Sequence, residues 1–109
     1  MPRNWKLRIT DILDAITAIQ EYTAGMEYEH FMHDRKTIDA VLRNLTIIGE
    51  AVNHIPEEVI QNYPEIPWAD MSGMRNVVVH IYFGVNLQIV WDTLQINLPP
   101  LVKSLEKLL

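Results

Sequence analysis

The chain has 109 residues, of which 49% are hydrophobic and 21% charged, a formal net charge of −5 and no cysteine. This length predicts one domain spanning residues 1–109, able to bury roughly 60–70% of the surface its unfolded form exposes, and the missing cysteine excludes disulfides, thiolate nucleophiles and cysteine zinc sites. The negative balance disfavours long-range, sequence-independent attraction to nucleic acid, and no apolar run approaches the ~18–20 residues that a bilayer crossing requires.

The N-terminal residues Met1 to Lys6 carry no continuous apolar segment and no small-residue cleavage site, so no secretory signal is expected and the default location is cytoplasmic. Arg3, Lys6 and Arg8 read as a solvated charge group, with a local basic patch as the alternative. Asn4 is positioned to cap a first helix whose apolar positions are Ile9, Ile12, Leu13, Ile16 and Ile19, running on to Met26 with Gly25 near its end. After a polar and aromatic stretch, Asp34 is positioned to cap a second long helix. In it Ile38, Val41, Leu42, Leu45, Ile48, Val52 and Ile55 recur at three- and four-residue steps. Gly49 inside that helix costs ~1 kcal/mol relative to alanine, which predicts a close helix crossing there.

Pro56, followed by Glu57 and Glu58, predicts a short helix that Tyr63-Pro64 stops. Pro67 opens another segment through Trp68 and Gly73. By propensity Val77-Val78-Val79 with Ile81, Tyr82 and Phe83 would form a strand, but a lone strand leaves its backbone groups unpaired, so residues 68–82 are expected to be helical, with Gly84 ending the helix. Asn86 is positioned to cap a last helix with apolar residues at Leu87, Val90, Trp91, Leu94, Leu98, Leu101, Leu105 and Leu108. Its periodicity continues through Pro99-Pro100, predicting a kink there, with two separate helices as the alternative. There are no repeats, low-complexity segments or linkers, and the whole reads as an all-α antiparallel bundle of four to five helices.

The segment from Gly73 to Gly84 gathers Arg75, Asn76, His80 and Tyr82 among apolar residues. At ~100° per residue, Met71, Met74, Val77, Val78 and Ile81 share a core-facing arc, while Arg75, Asn76 and His80 fall on the other side. Val79 and Phe83 lie on that polar side, which suggests that a second copy of the chain covers it. Two copies of Arg75 and His80 across a twofold cleft suit phosphodiester transfer, one imidazole taking a proton from the nucleophile, another protonating the leaving oxygen, and guanidinium groups stabilising the phosphorane. Neither a metal nor a cofactor is required. On spacing alone, a helix bearing these residues is more often a structural helix whose side chains are hydrogen-bonded.

Arg75-Asn76-Val77-Val78-Val79-His80-Ile81-Tyr82 resembles the Arg-x4-His-x-Tyr signature of the HEPN superfamily, specifically its HepT-like (DUF86) branch. Gly49-Glu50-Ala51 after Arg43-Asn44-Leu45, the Pro67-Trp68 lead-in, Gly73-Met74, and the ending from Trp91 to Pro99-x-Leu101 are similar to that branch as well, so the likeness covers most of the chain. The resemblance implies an all-helical, homodimeric, metal-independent endoribonuclease that is the toxin of a type VII-like toxin–antitoxin pair. It carries catalysis to Arg75 and His80, gives Asn76 as the polar residue of the motif, and raises Glu50 as a residue that lines the cleft and orders the Arg75 or His80 side chain. It also implies an MntA-like nucleotidyltransferase antitoxin that attaches AMP to Tyr82, adding charge and bulk that exclude RNA.

On this reading the RNA's own 2′-hydroxyl attacks the adjacent phosphate. The alternatives are a non-catalytic partner or substrate-binding subunit of a minimal nucleotidyltransferase, and a plain helical dimerisation module. Arg43, Thr46, Glu50, Asn53 and His54 form a polar stripe opposite the apolar face of the second helix, ordinarily a solvated surface. Glu29, His30, His33 and Asp34 include histidines three apart, but no third metal ligand is fixed and no metal site is expected. Tyr22, Tyr28, Tyr63 and the three tryptophans read as packing groups rather than base-stacking platforms.

Overall fold

The computed structural model of the chain describes residues 4–76 and 87–109, and among these residues every regular element is helical. α1 (Trp5–Thr23) starts where the Asn4 side chain accepts a hydrogen bond from the Lys6 backbone N–H at 2.9 Å. It ends at Ala24, followed by Gly25 at φ 76°, the left-handed conformation that glycine adopts without steric penalty. α3 (Arg35–Val52) starts at Asp34, whose Oδ1 accepts from the Thr37 N–H at 3.1 Å. Both caps predicted from sequence are therefore in place.

Among the described residues the two long helices form the most extensive contact. Ile9, Ile12, Ile16 and Ile19 of α1 meet Val41, Leu45 and Ile48 of α3, and all seven are essentially removed from solvent. Fully burying an aliphatic side chain of this kind contributes about 1.5–3 kcal/mol, so this pair of faces forms the centre of the core. The expected second helix ends at Val52, three residues before Ile55, which is buried from the following turn.

The polar and aromatic stretch contains a short helix that the sequence pattern leaves unassigned, α2 (Tyr28–Met32). Five residues are too few to hold a helix alone. The fully buried Phe31 supplies the reason, since its ring lies 5.1 Å from that of Trp91, and Tyr28 reaches the same indole at 6.3 Å. α4 (Glu57–Asn62) follows Pro56, which stands at the cap position, and ends at Tyr63. α5 (Trp68–Ser72) is anchored by the buried Trp68, whose indole N–H donates to the Tyr63 carbonyl at 3.0 Å.

One unbroken helix over 68–82 is not what forms. A turn at Gly73 ends α5, and residues 74–76 are helical again, with the Asn76 N–H bonded to the Gly73 carbonyl at 2.9 Å. In the C-terminal segment, α6 (Leu87–Asp92) passes into a π-helical turn, Thr93–Asn97, and then α7 (Leu98–Glu106). At the place where the sequence predicts a kink, the hydrogen-bond pattern thus changes one turn earlier. Pro99 and Pro100 then sit directly after the π-helical turn, at the start of α7. α7 packs on α1 through the buried Leu98, Leu101 and Leu105. Among the described residues no helix is long and apolar enough to cross a membrane.

Candidate functional site

Helix α3 presents Gly49 to the chain that carries Arg75. A Cβ added at Gly49 would stand 2.9 Å from the Arg75 Cβ and 3.0 Å from both the Arg75 backbone N and the Ser72 carbonyl oxygen. Only a residue without a side chain lets the two backbones come so close, and the crossing predicted from Gly49 is present. On one side of this crossing Met71 and Met74 enter the core, while Arg75 and Asn76 remain exposed. The division of the segment into an apolar and a polar face holds for these four residues.

Two polar contacts flank the crossing. Arg75 Nη1 donates to Glu50 Oε1 at 3.3 Å, and at the C-cap of α3 the Asn53 Oδ1 accepts the Ser72 hydroxyl proton at 2.9 Å. Gly49, Glu50 and Asn53 therefore grip residues 72–75 by van der Waals contact, by charge and by hydrogen bond. The Arg75 and Glu50 side chains are 43% and 56% exposed, so the pair adds at most about 1 kcal/mol to stability. Its consequence is orientation. Glu50 engages one of the five N–H donors of the guanidinium, whose planar fork suits paired contacts to phosphate oxygens.

The polar stripe on α3 is not plain solvated surface along its whole length. Thr46, Glu50 and His54 form one wall of a groove of about 220 Å³, and Arg8 and Asp11 of α1 form the other, with Ile47 between them. The sequence reads Arg8 as solvated charge or part of a basic patch and does not single out Asp11, and the structure places both in the lining of this groove. Each immediately precedes a buried isoleucine, Ile9 or Ile12, and so lies at the edge of the apolar stripe of α1, half-buried beside α3. That border position is the signal by which sequence alone could have singled them out. Arg43, the first residue of the stripe, is exposed and stands apart from the groove.

Of the candidate residues, Arg75, Asn76 and Glu50 are described and the first and last are brought together. His80 and Tyr82 lie outside the described residues, as do Arg3, the core positions Val77, Val78 and Ile81, the polar-face residues Val79 and Phe83, the helix end at Gly84 and the cap at Asn86. The acidic and histidine residues near α2 form two i,i+4 pairs, Glu29 with His33 at 3.5 Å and His30 with Asp34 at 3.6 Å. Among the described residues no three His, Asp or Glu side chains are grouped so as to hold a metal ion. Asp34 has its carboxyl held below the ordinary carboxylate range, first by the Thr37 backbone N–H and then by the Thr37 side chain, with smaller help from His30 and Lys36. Trp68 is buried, and Trp5, Tyr28, Tyr63 and Trp91 pack against the core, whereas Tyr22 is 44% exposed.

Comparison with known proteins bears on the family to which the chain belongs. The chain is 43% identical over 108 residues to the "Probable ribonuclease HepT" of Thermococcus cleftensis, a match covering 99% of this chain and 98% of that protein. It is 39% identical over 99 residues to a "Putative RNase" of Methanocaldococcus jannaschii, covering 91% of this chain and 82% of the relative. A "Putative RNase" of Caldanaerobacter subterraneus is 37% identical over 98 residues, covering 90% and 88%. No solved structure gives a significant match. The family model described as "Ribonuclease HepT-like" matches residues 12–108, a span that includes Glu50, the crossing at Gly49 and the whole Arg75 to Tyr82 signature, and the chain belongs to that family.

Proposed function

We propose that this protein is a metal-independent endoribonuclease whose reacting groups are Arg75 and His80, assembled across a homodimer. The observation that carries the reading is the orientation of Arg75 by Glu50 at 3.3 Å, across a crossing that only glycine permits, in a chain of the HepT-like family. The 2′-hydroxyl oxygen of the RNA forms a bond to the adjacent phosphorus as its proton passes to an imidazole. The P–O5′ bond breaks, the 5′-oxygen receives a proton from the second imidazole, and the products are a 2′,3′-cyclic phosphate and a 5′-hydroxyl end. His80 is the general base or acid, Arg75 stabilises the charge on the pentacoordinate phosphorus, Asn76 positions the phosphate, and Glu50 holds Arg75.

The same reading makes the chain the toxin of a type VII-like toxin–antitoxin pair. A nucleotidyltransferase antitoxin attaches AMP to Tyr82, two residues beyond His80, and the added negative charge excludes RNA from the cleft. The competing reading, a non-catalytic subunit of a nucleotidyltransferase, draws on the net charge of −5. Unmodified protein incubated with RNA in EDTA, beside His80→Ala and Arg75→Ala, distinguishes the two. Cleavage by the unaltered protein and loss of it in both variants is expected, and equal cleavage by all three would remove Arg75 and His80 from the reaction. Absence of cleavage with tight nucleotidyltransferase binding would favour the competing reading.

A further inference from the structure

The groove between α1 and α3 shares one residue with the Arg75 site. Glu50 gives one carboxylate oxygen to Arg75 at 3.3 Å and also forms part of the groove wall, so the groove opens beside the guanidinium. A carboxylate has roughly four lone-pair positions, and the hydrogen bond to Arg75 occupies one. His54, in the turn that follows α3 with its N–H bonded to the Ala51 carbonyl at 3.0 Å, lines the groove with Glu50, and Arg8 lines it from α1. The described lining therefore carries donors, Arg8 and His54, and acceptors, Glu50 and Asp11, beside the apolar Ile47.

This composition selects among ligands. A track that follows a nucleic-acid backbone over several phosphates is uniformly basic. A groove of both signs suits a single unit that carries an anion at one end and N–H or O–H donors at the other. Its volume of about 220 Å³ is below the ~300–1,000 Å³ of sites that enclose drug-sized ligands, so a single unit would lie in it as an open groove rather than be enclosed. A nucleotide meets these requirements, with its phosphate on Arg8 and His54, its sugar hydroxyl or base N–H on Glu50, and its apolar faces against Ile47.

We infer that this groove is a subsite for the nucleotide flanking the phosphodiester that Arg75 engages, with Arg8 and His54 as phosphate contacts and Glu50 as the acceptor shared between subsite and site. The inference rests on the ribonuclease reading and names where its substrate continues. Arg8 and His54 act on substrate binding, so their loss raises KM and spares kcat.

The test is steady-state cleavage of a short RNA and of the same RNA shortened by one nucleotide at one end and then the other, by wild type, Arg8→Ala, His54→Ala and His54→Gln. On the longer RNA, Arg8→Ala and His54→Ala are expected to raise KM about tenfold each, the loss of one hydrogen bond to a charged group, with kcat within about twofold. His54→Gln, which keeps a donor, recovers part of the loss. The salt dependence of log KM for Arg8→Ala falls by about 0.7 relative to wild type, one phosphate contact on a single strand. Removing the nucleotide that occupies the groove raises the wild-type KM and abolishes the difference between wild type and variants. Variants equal to wild type on the longer RNA, or differences that persist unchanged on both shortened RNAs, overturn the subsite while leaving the ribonuclease reading intact. Failure of the wild type to cleave any of these RNAs overturns the ribonuclease reading and the subsite together.

Discussion

Gly49→Ala tests the crossing on which the site is built. The new methyl group would lie 2.9 Å from the Arg75 Cβ, where carbon atoms prefer roughly 3.5–4.0 Å, so residues 72–75 must retreat by about 0.6–1.1 Å. The other two contacts, at 3.0 Å, are to backbone atoms of Arg75 and Ser72, which cannot rotate away as a flexible side-chain tip would. Overpacking of this kind costs about 1–3 kcal/mol, and the better helix propensity of alanine returns about 1 kcal/mol of it. The net expectation is a destabilisation of about 0–2 kcal/mol, a Tm lowered by up to roughly 10–15 °C at ~4–8 °C per kcal/mol. The same retreat stretches the 3.3 Å contact between Arg75 and Glu50 towards roughly 4 Å, and misplacing a catalytic group by ~1 Å can cost ~100-fold in rate.

Gly73→Ala supplies the contrast within the same segment. Its φ of −69° suits any residue, and among the described residues an added Cβ would meet the Asp70 and Ala69 carbonyl oxygens at 3.4 and 3.5 Å, ordinary contact distances. This substitution is expected to leave Tm unchanged or raise it, by about 0.4–1 kcal/mol of stability, through a less flexible unfolded chain. Thermal melts of both variants, followed by cleavage assays at saturating RNA, read the two effects separately. A Gly49→Ala protein as stable as wild type and as active, with Gly73→Ala no better, would refute the close approach of α3 to Arg75.

Glu50→Ala is expected to lower kcat by at least about tenfold while shifting stability by less than about 1 kcal/mol, because a pair this exposed orients more than it stabilises; Glu50→Gln, which still accepts a hydrogen bond, should retain part of the activity. Trp68→Phe leaves the Tyr63 carbonyl without its indole donor and should cost about 1 kcal/mol in a denaturant titration, with no change in the midpoint expected if that hydrogen bond contributes nothing. The depressed pKa of Asp34 means that its contribution to stability is present above the ordinary carboxylate value of about 3.9 and is lost as pH falls through the lower folded value. Asp34→Asn keeps an N-cap acceptor without a titratable group, so melts at pH 7 and pH 3 should show a smaller acid-induced fall in Tm for the variant than for wild type; equal falls would remove Asp34 from the acid response.

Much of the helical plan is legible in local pattern. Asn4 and Asp34 cap as their residue types predict, Gly25 ends α1, and the three- and four-residue spacing in α1 and α3 marks the faces that are buried. These features depend on interactions within a few residues, which sequence displays directly. α2 is not legible because a five-residue helix has no period to detect and is held by ring contacts to Trp91, some sixty residues later in the chain. The π-helical turn at Thr93–Asn97 is hidden for a related reason, since the apolar spacing around Pro99-Pro100 permits either a kinked helix or two helices.

Taken by itself, the sequence determined the all-helical class, the caps, the apolar faces and the signature that begins at Arg75. Family resemblance raised Glu50 as a partner for Arg75 or His80, and tertiary structure decided that Arg75, twenty-five residues away, is the one it meets and that Arg8 and Asp11 share a groove with Glu50 and His54. Periodicity says which face of a helix is buried but not which height of one helix meets which height of another. Here that height is set by Gly49, where the absence of a single Cβ lets two backbones touch.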